Sequence, residues 1–524
     1  MILPGAVPPP GGAVEVGNKA WNLIRMATAG LPVPPGFVLS TGWCRMRRTG
    51  HADDARLATA LAAGIDQLEA ATGLRFGSVR RPLLVSVRSG AAVSMPGMLE
   101  TVLDIGSNSE TVDGLIRLTG NPRLAWDSYR RLIQGFAEVV LGLPTDPFDR
   151  LVRAAMTEAD VPRQQELDHR SLCRLAQHML AEYRALAGTP FPQDPQEQLL
   201  QAATAVFRSW DAPKAVTYRR LNGIDDAGGT AVTVQTMVFG NAGGSSGAGV
   251  GFTRNPASGE HELYLDFQFS AQGEDVVAGR QRSTDIGRLR RRLPEVWNEL
   301  EQVARRLETL FGDAQDFEFT LQDHRLSLLQ ARDAKRTPWA ALRIAVDLVS
   351  EGLINPTGAL ARLGGIDLDA VVRTRFAGEQ PTALAMAMVA GLGVASGAIA
   401  LDVAAVERLA RDDTAVVLVR SEMVTADIAA MAKAQGILTS VGSRTSHGAV
   451  VARQLGKVCL IGCPTLSIDL QGRTCQIGGQ TFAEGDFISL DGNDGAVYPG
   501  RLEIVAERPE RELAIIAGWR ERQH

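Results

Sequence analysis

Between residues 415 and 461 the sequence alternates strand, helix, strand, helix and strand, and few folds accommodate that rhythm. Residues 415–420 (AVVLVR) form a β-branched run. Residues 425–435 carry a helical pattern, with Thr425 placed as an N-cap and Ile428 and Met431 on one face. Residues 436–440 (GILTS) read as a strand, 446–455 as a helix and 458–461 (VCLI) as another strand. Parallel strands need a crossover between them, and a helix is its usual form. The segment therefore predicts a compact α/β domain with some parallel strands.

The preceding chain has another texture. An amphipathic helix over 18–29 stops at GLPVPPGF, where Pro32, Pro34 and Pro35 cannot continue it. Strands are expected at 37–40 and at 83–88 (LLVSVR), the latter running into the loop SGAAVSMPGM. Residues 110–210 are periodic and helical. Strand character returns at 230–239, at VGFTR from Val250 and at HELYLDFQFS. DFEFTLQDHRLSLLQAR reads as a hairpin about Gln322, Asp323 and His324. This half is α+β with an antiparallel sheet; a helix over 339–351 then leads into a less regular stretch reaching 388.

A chain of 524 residues exceeds the size of one hydrophobic core, so several domains are expected. Lys plus Arg number 54 against 59 acidic residues, a balance that leaves no broad footprint for nucleic acid. The cluster Arg288, Arg290, Arg291 and Arg292 reads as a solvated helical face. No apolar run is long enough to cross a bilayer, and MILPGAVPPPGG lacks the pattern of a signal peptide. Five cysteines, an odd number without a secretion signal, fit free thiols in a reducing cytoplasm. Cys459 and Cys463 lack nearby partners for zinc.

Three groups of residues could carry chemistry. In GILTSVGSRTSHGAVVARQLGKVCLIGC, Thr445, Ser446 and His447 stand where a helix begins after a Gly/Ser turn. Unpaired amides and the helix dipole there favour negative charge, and a neutral imidazole is a nucleophile able to carry a phosphoryl group. On spacing alone, a capping turn with an incidental histidine is the favoured reading. Gly240, Gly243, Gly244, Gly247, Gly249 and Gly251 lie between two strands, where the backbone can approach a polyphosphate or simply form a flexible loop. Asp316 with Glu318, and Gln330 with Arg332, alternate by two and so share sheet faces. Lys19 in GNKAWNL and Arg88 in SVRSGAAVSMPGM complete the charged set, for which solvated polar faces are the plainer explanation.

These segments strongly resemble the pyruvate phosphate dikinase family. The TSH triplet with VVAR, GK and Cys463 is similar to its phosphohistidine signature. MVFGNAGGSSGAGVGFTRNPASGE, SAQGEDVVAG and AVFRSWDAPKAVTYRRLNGI resemble its ATP-grasp domain. The resemblance implies an ATP-grasp domain with a helical subdomain, followed by a swivelling α/β phosphohistidine domain. The expected parts are 1–110 and 211–334 for the two ATP-grasp portions and 111–210 for the helical subdomain. A helical linker or hinge at 335–388, the swivelling domain at 389–500 and a tail at 501–524 follow.

By the same resemblance His447 is the phosphocarrier, with Lys19, Arg88 and Arg332 on phosphates and Gly240, Gly243 and Gly244 in the nucleotide loop. Glu318 and Gln330 would ligate Mg²⁺, Asp316 would hold this array, and Thr445 is a regulatory candidate. Asp266 stands where the family usually has a nucleotide-contacting glutamate, and Arg444 is a further departure. The implied partners are ATP and inorganic phosphate, with a homodimer as a candidate assembly. After Gly500 only 24 residues follow, whereas a (β/α)8 acceptor barrel takes roughly 200 or more. The expectation is therefore phosphotransfer to an acceptor on a separate protein. Direct transfer to a small molecule between the chain's own domains, or a non-catalytic regulatory role, are the alternatives.

Overall fold

Pro32, Pro34 and Pro35 separate helix from sheet: helix Asn18–Thr28 ends before them and strand Gly36–Leu39 begins after them. In this computed structural model the described residues are 1–522, apart from 94, 96–98, 274–285, 424–426 and 443–446, with backbone alone at 221, 447, 450 and 454. The chain forms two compact units. The first comprises Met1–Gly247, Phe269–Ala271 and Glu318–Arg332; the second comprises Ala248–Gln268, Gln272–Phe317 and Asp333–His524.

In the first unit an antiparallel sheet runs in the order Gly36–Leu39, Ala231–Thr236, Val85–Gly90, Thr101–Ile105. Arg88 lies opposite Thr233 on one side and Thr101 on the other. The helical stretch resolves into Thr111–Thr119, Pro122–Leu141, Asp146–Glu158, His169–Ala187, Pro195–Ser209 and Pro213–Leu221. Several open on proline, whose missing N–H is no loss in a first turn. Tyr129, Phe136 and Tyr183 present their rings edge-on to Phe191, and one core joins these helices to Val85, Val87 and Val234 of the sheet.

The hairpin expected about residue 323 is present, formed by Gln315–Gln322 and Arg325–Asp333. Asp323 and His324 both take positive φ, 47° and 66°, as a tight hairpin turn requires. The division between units passes through its first strand, between Phe317 and Glu318.

The second unit holds an eight-stranded mixed sheet. Its order is Ala385–Met386, Ala496–Pro499, Phe487–Asp491, Val394–Ala400, Val416–Arg420, Gly436–Thr439, Val458–Ile461, Met388–Gly391. The four strands from Val394–Ala400 to Val458–Ile461 are parallel to one another, and the strands outside them pair antiparallel. Alternation assigns Val417, Val419, Leu438 and Leu460 to one core and Val416, Leu418, Ile437 and Ile461 to another, so both faces are covered. Helices Val403–Arg411, Ile428–Lys433 and His447–Gln454 supply apolar residues to the second of these cores. The N-cap expected at Thr425 lies outside the described residues.

The stretch 352–388 is more ordered than its composition suggested. Asn355 caps helix Pro356–Leu363, accepting from Gly358 N at 2.8 Å. Strand Arg373–Phe376 pairs antiparallel with Ile504–Glu507, beyond Gly500. Helix Glu510–Glu521 then buries Ile516 and Trp519 with Leu342, Val346, Leu363 and Val371. The residues expected as a tail are thus a strand and a packed helix. Their partners lie more than a hundred residues upstream, where local periodicity carries no signal. No described helix is long and apolar enough to cross a membrane.

Candidate functional site

Gly17 determines how helix Asn18–Thr28 meets the sheet of the first unit. It adopts φ 78°, ψ 150°, a region essentially reserved for glycine, and an added Cβ would sit 2.2 Å from Gly90 O. Asn18 N donates to Ala91 O at 2.9 Å. The helix therefore starts against the end of the strand bearing Arg88, and its second residue is Lys19. On the next turn Asn22 Nδ2 donates to Ala331 O at 2.9 Å, fastening the same helix to the strand of Gln330 and Arg332.

Arg88 bridges this assembly. Its Nη2 lies 3.3 Å from Glu318 Oε2, and its Nη1 donates to Leu329 O at 3.1 Å. Burial pushes the Lys19 ammonium down to about 7; Arg88 adds to the fall, Glu318 opposes it and Arg332 adds again. Three basic side chains thus converge with one carboxylate, an arrangement that favours an anionic ligand. Glu318 and Gln330 offer hard oxygen donors of the kind Mg²⁺ prefers.

Lys19, Arg88, Glu318 and Arg332 are brought together within the first unit, with Gln330 one pleat period from Arg332. Asp316, buried, precedes Glu318 by two residues in the same strand but belongs to the second unit. Asp266, also buried, lies in strand Tyr264–Phe269 and likewise belongs to the second unit. His447 is the first residue of helix His447–Gln454, likewise in the second unit. Thr445, Ser446 and Arg444 lie outside the described residues, as does most of SAQGEDVVAG.

The glycine-rich loop divides into a tight neck and an open crest. A Cβ on Gly240 would stand 2.1 Å from Ala271 O and 2.8 Å from Gly247 O. One on Gly243 or Gly244 would meet nothing within 4 Å. Ser246 N closes a turn onto Gly243 O at 3.0 Å, and Ser246 Oγ accepts from Asp323 N at 3.1 Å. A polyphosphate can approach the crest but not the neck.

Sequence reasoning missed Gly17 and Asn22, although both stand in GNKAWNL and Asn22 is three residues from Lys19, on the same helical face. It also missed a charged cluster in the second unit. Fully buried Arg254 grips Glu308 through two bonds of 2.9 and 2.8 Å and reaches Glu351 at 2.6 Å. His261 Nδ1 stands 3.1 Å from Glu351. The donor atoms of His261, Glu308 and Glu351 lie within 4.8 Å of one another, yet the guanidinium already supplies the positive charge that a metal would bring. This cluster is a structural hub.

Comparisons with known proteins agree in both halves. The pyruvate phosphate dikinase AMP/ATP-binding domain matches residues 50–296, and the PEP-utilising enzyme mobile domain matches 413–495. The chain is 43% identical over 512 residues to pyruvate, phosphate dikinase of Clostridium symbiosum, covering 96% of this chain and 58% of that one. It is 40% identical to the chloroplastic enzyme of Flaveria trinervia, with 96% and 53% covered. Against that of Rhizobium meliloti it is 39% identical, with 96% and 58% covered. The chain spans about half the length of the curated relatives it matches. In a multidomain α+β architecture, the chain carries the AMP/ATP-binding domain of pyruvate phosphate dikinase and the mobile domain of PEP-utilising enzymes.

Proposed function

We propose that this chain transfers the β-phosphoryl group of ATP to an imidazole nitrogen of His447. The observation that carries the reading is the convergence of Lys19, Arg88 and Arg332 with Glu318, in a chain whose mobile-domain match contains His447. Lys19, Arg88 and Arg332 bind the phosphates, and the open backbone at Gly243 and Gly244 lies along them, with Gly240 closing the neck. Asp266 contacts the nucleotide, Asp316 supports the array, and Thr445 is a regulatory position. Mg²⁺, held by Glu318 and Gln330, would offset charge on the transferred group. Inorganic phosphate takes the γ-phosphoryl group to give pyrophosphate; His447 takes the β-phosphoryl group and AMP leaves. Positioning and charge neutralisation carry the catalysis. Phospho-His447 then passes its phosphoryl group to an acceptor held by a separate protein.

The test is incubation with ATP labelled at the β-phosphate, with and without inorganic phosphate. The expected result is a base-stable, acid-labile phosphoprotein that requires phosphate and is absent from His447→Ala. An unlabelled wild-type protein would overturn the reading. Discharge of the label onto pyruvate with no second protein present would overturn the separate acceptor.

A further inference from the structure

Helix Pro122–Leu141 reaches the glycine-rich loop through two side chains that the phosphate site does not use. Asn121, its N-cap, accepts from Leu124 N at 3.0 Å through Oδ1 and donates from Nδ2 to Ala242 O at 2.7 Å. Asp127, on the same helix, accepts from Asn241 Nδ2 at 2.9 Å. Asp127 is itself held by Arg130 at 2.9 and 2.6 Å and by Arg131 at 3.1 Å. Burial opposes its ionisation, but Arg131, Arg130 and Arg123 outweigh burial and keep its carboxyl well below the usual carboxylate range.

Two consecutive loop residues are therefore fastened to one helix, Asn241 by its side chain and Ala242 by its carbonyl. The open residues Gly243 and Gly244 follow immediately. On the far side, Ser270 Oγ donates to Gly243 O at 3.3 Å and Ser246 Oγ accepts from Asp323 N. A glycine-rich segment loses much conformational entropy when a ligand orders it, so anchors already present reduce the cost of binding.

We propose that Asn121 and Asp127 are positioning residues for the loop, holding Asn241 and Ala242 so that the following backbone meets the polyphosphate of Mg–ATP already ordered. The inference rests on the reading of this region as the ATP site. Asn121→Asp separates the two jobs of Asn121. Aspartate caps a helix about as well as asparagine, but it cannot donate to Ala242 O. Asn241→Ala removes the other tether from the loop side.

Both variants should bind Mg–ATP about ten-fold more weakly by calorimetry, the usual effect of losing a hydrogen bond of this kind. KM for ATP should rise by more than kcat falls, and the melting temperature should stay close to that of the wild type. Unchanged affinity in both variants, or a lowered melting temperature with unchanged affinity, overturns the proposal. Failure of the underlying reading looks different. Wild-type protein that does not bind Mg–ATP removes the ATP site and the inference together. Wild-type protein that binds Mg–ATP but takes no label removes only the phosphocarrier role, and the tether is still decided by affinity.

Discussion

The guanidinium of Arg88 stands 3.3 Å from the carboxylate of Glu318, although 230 residues separate them. The contact joins a strand of the first sheet to the hairpin, and both side chains are mostly buried.

Glu318→Gln retains shape and removes the charge. Arg88 keeps its bond to Leu329 O, so melting temperature should change little. Phosphorylation of His447 should fall by about 10²-fold or more, as expected when a preorganised electrostatic contact at a reacting centre is lost. Initial rates of label incorporation measure this, and a rate within a few-fold of wild type would count against the assigned role.

Lys19 should make stability and Mg–ATP binding depend on pH. An unfolded lysine gains its proton near 10.5, whereas folded Lys19 gains it near 7. Between those values the unfolded chain binds more protons, so the Lys19 contribution to stability rises with pH across this window and is flat outside it. Lys19→Met should therefore gain most over wild type at pH 6 and least at pH 10, in thermal melts across that range. Bound phosphates should raise the Lys19 pKa. Mg–ATP binding near pH 8 should then take up a proton in wild type but not in Lys19→Met, as read by calorimetry in buffers of different ionisation enthalpy.

Gly17→Ala places a methyl group 2.2 Å from a backbone carbonyl in a conformation that L-residues avoid. Strain of this sort costs about 1–3 kcal/mol, and relieving it would move the helix of Lys19 away from Arg88. Lower thermal stability together with weaker Mg–ATP binding is expected. Loss of stability alone would place Gly17 outside the site.

Arg254→Met leaves Glu308 buried without its guanidinium. Stranding a buried charge in this way costs about 3–5 kcal/mol. Denaturant unfolding should show that loss, and Arg254→Lys should recover only part of it because an ammonium cannot reproduce the two-pronged contact.

Much of the local structure was legible. Alternation by two placed Asp316 with Glu318, and Gln330 with Arg332, on strands later seen as Gln315–Gln322 and Arg325–Asp333. The strand–helix–strand rhythm from residue 415 corresponds to strands that are parallel in the structure. Hydrophobic period and turn chemistry act over a few residues, so sequence alone determined these elements, and the TSH triplet marked His447 by similarity to a family.

Tertiary structure decided which distant segments meet. Gly17 against Gly90, Asn22 on Ala331 and Arg88 beside Glu318 bring Lys19 to the hairpin. Pairing of Arg373–Phe376 with Ile504–Glu507 turned an irregular stretch and an expected tail into ordered structure. Such contacts depend on the closing of long loops and on the competition of many alternative partners, and no local window of sequence contains that information.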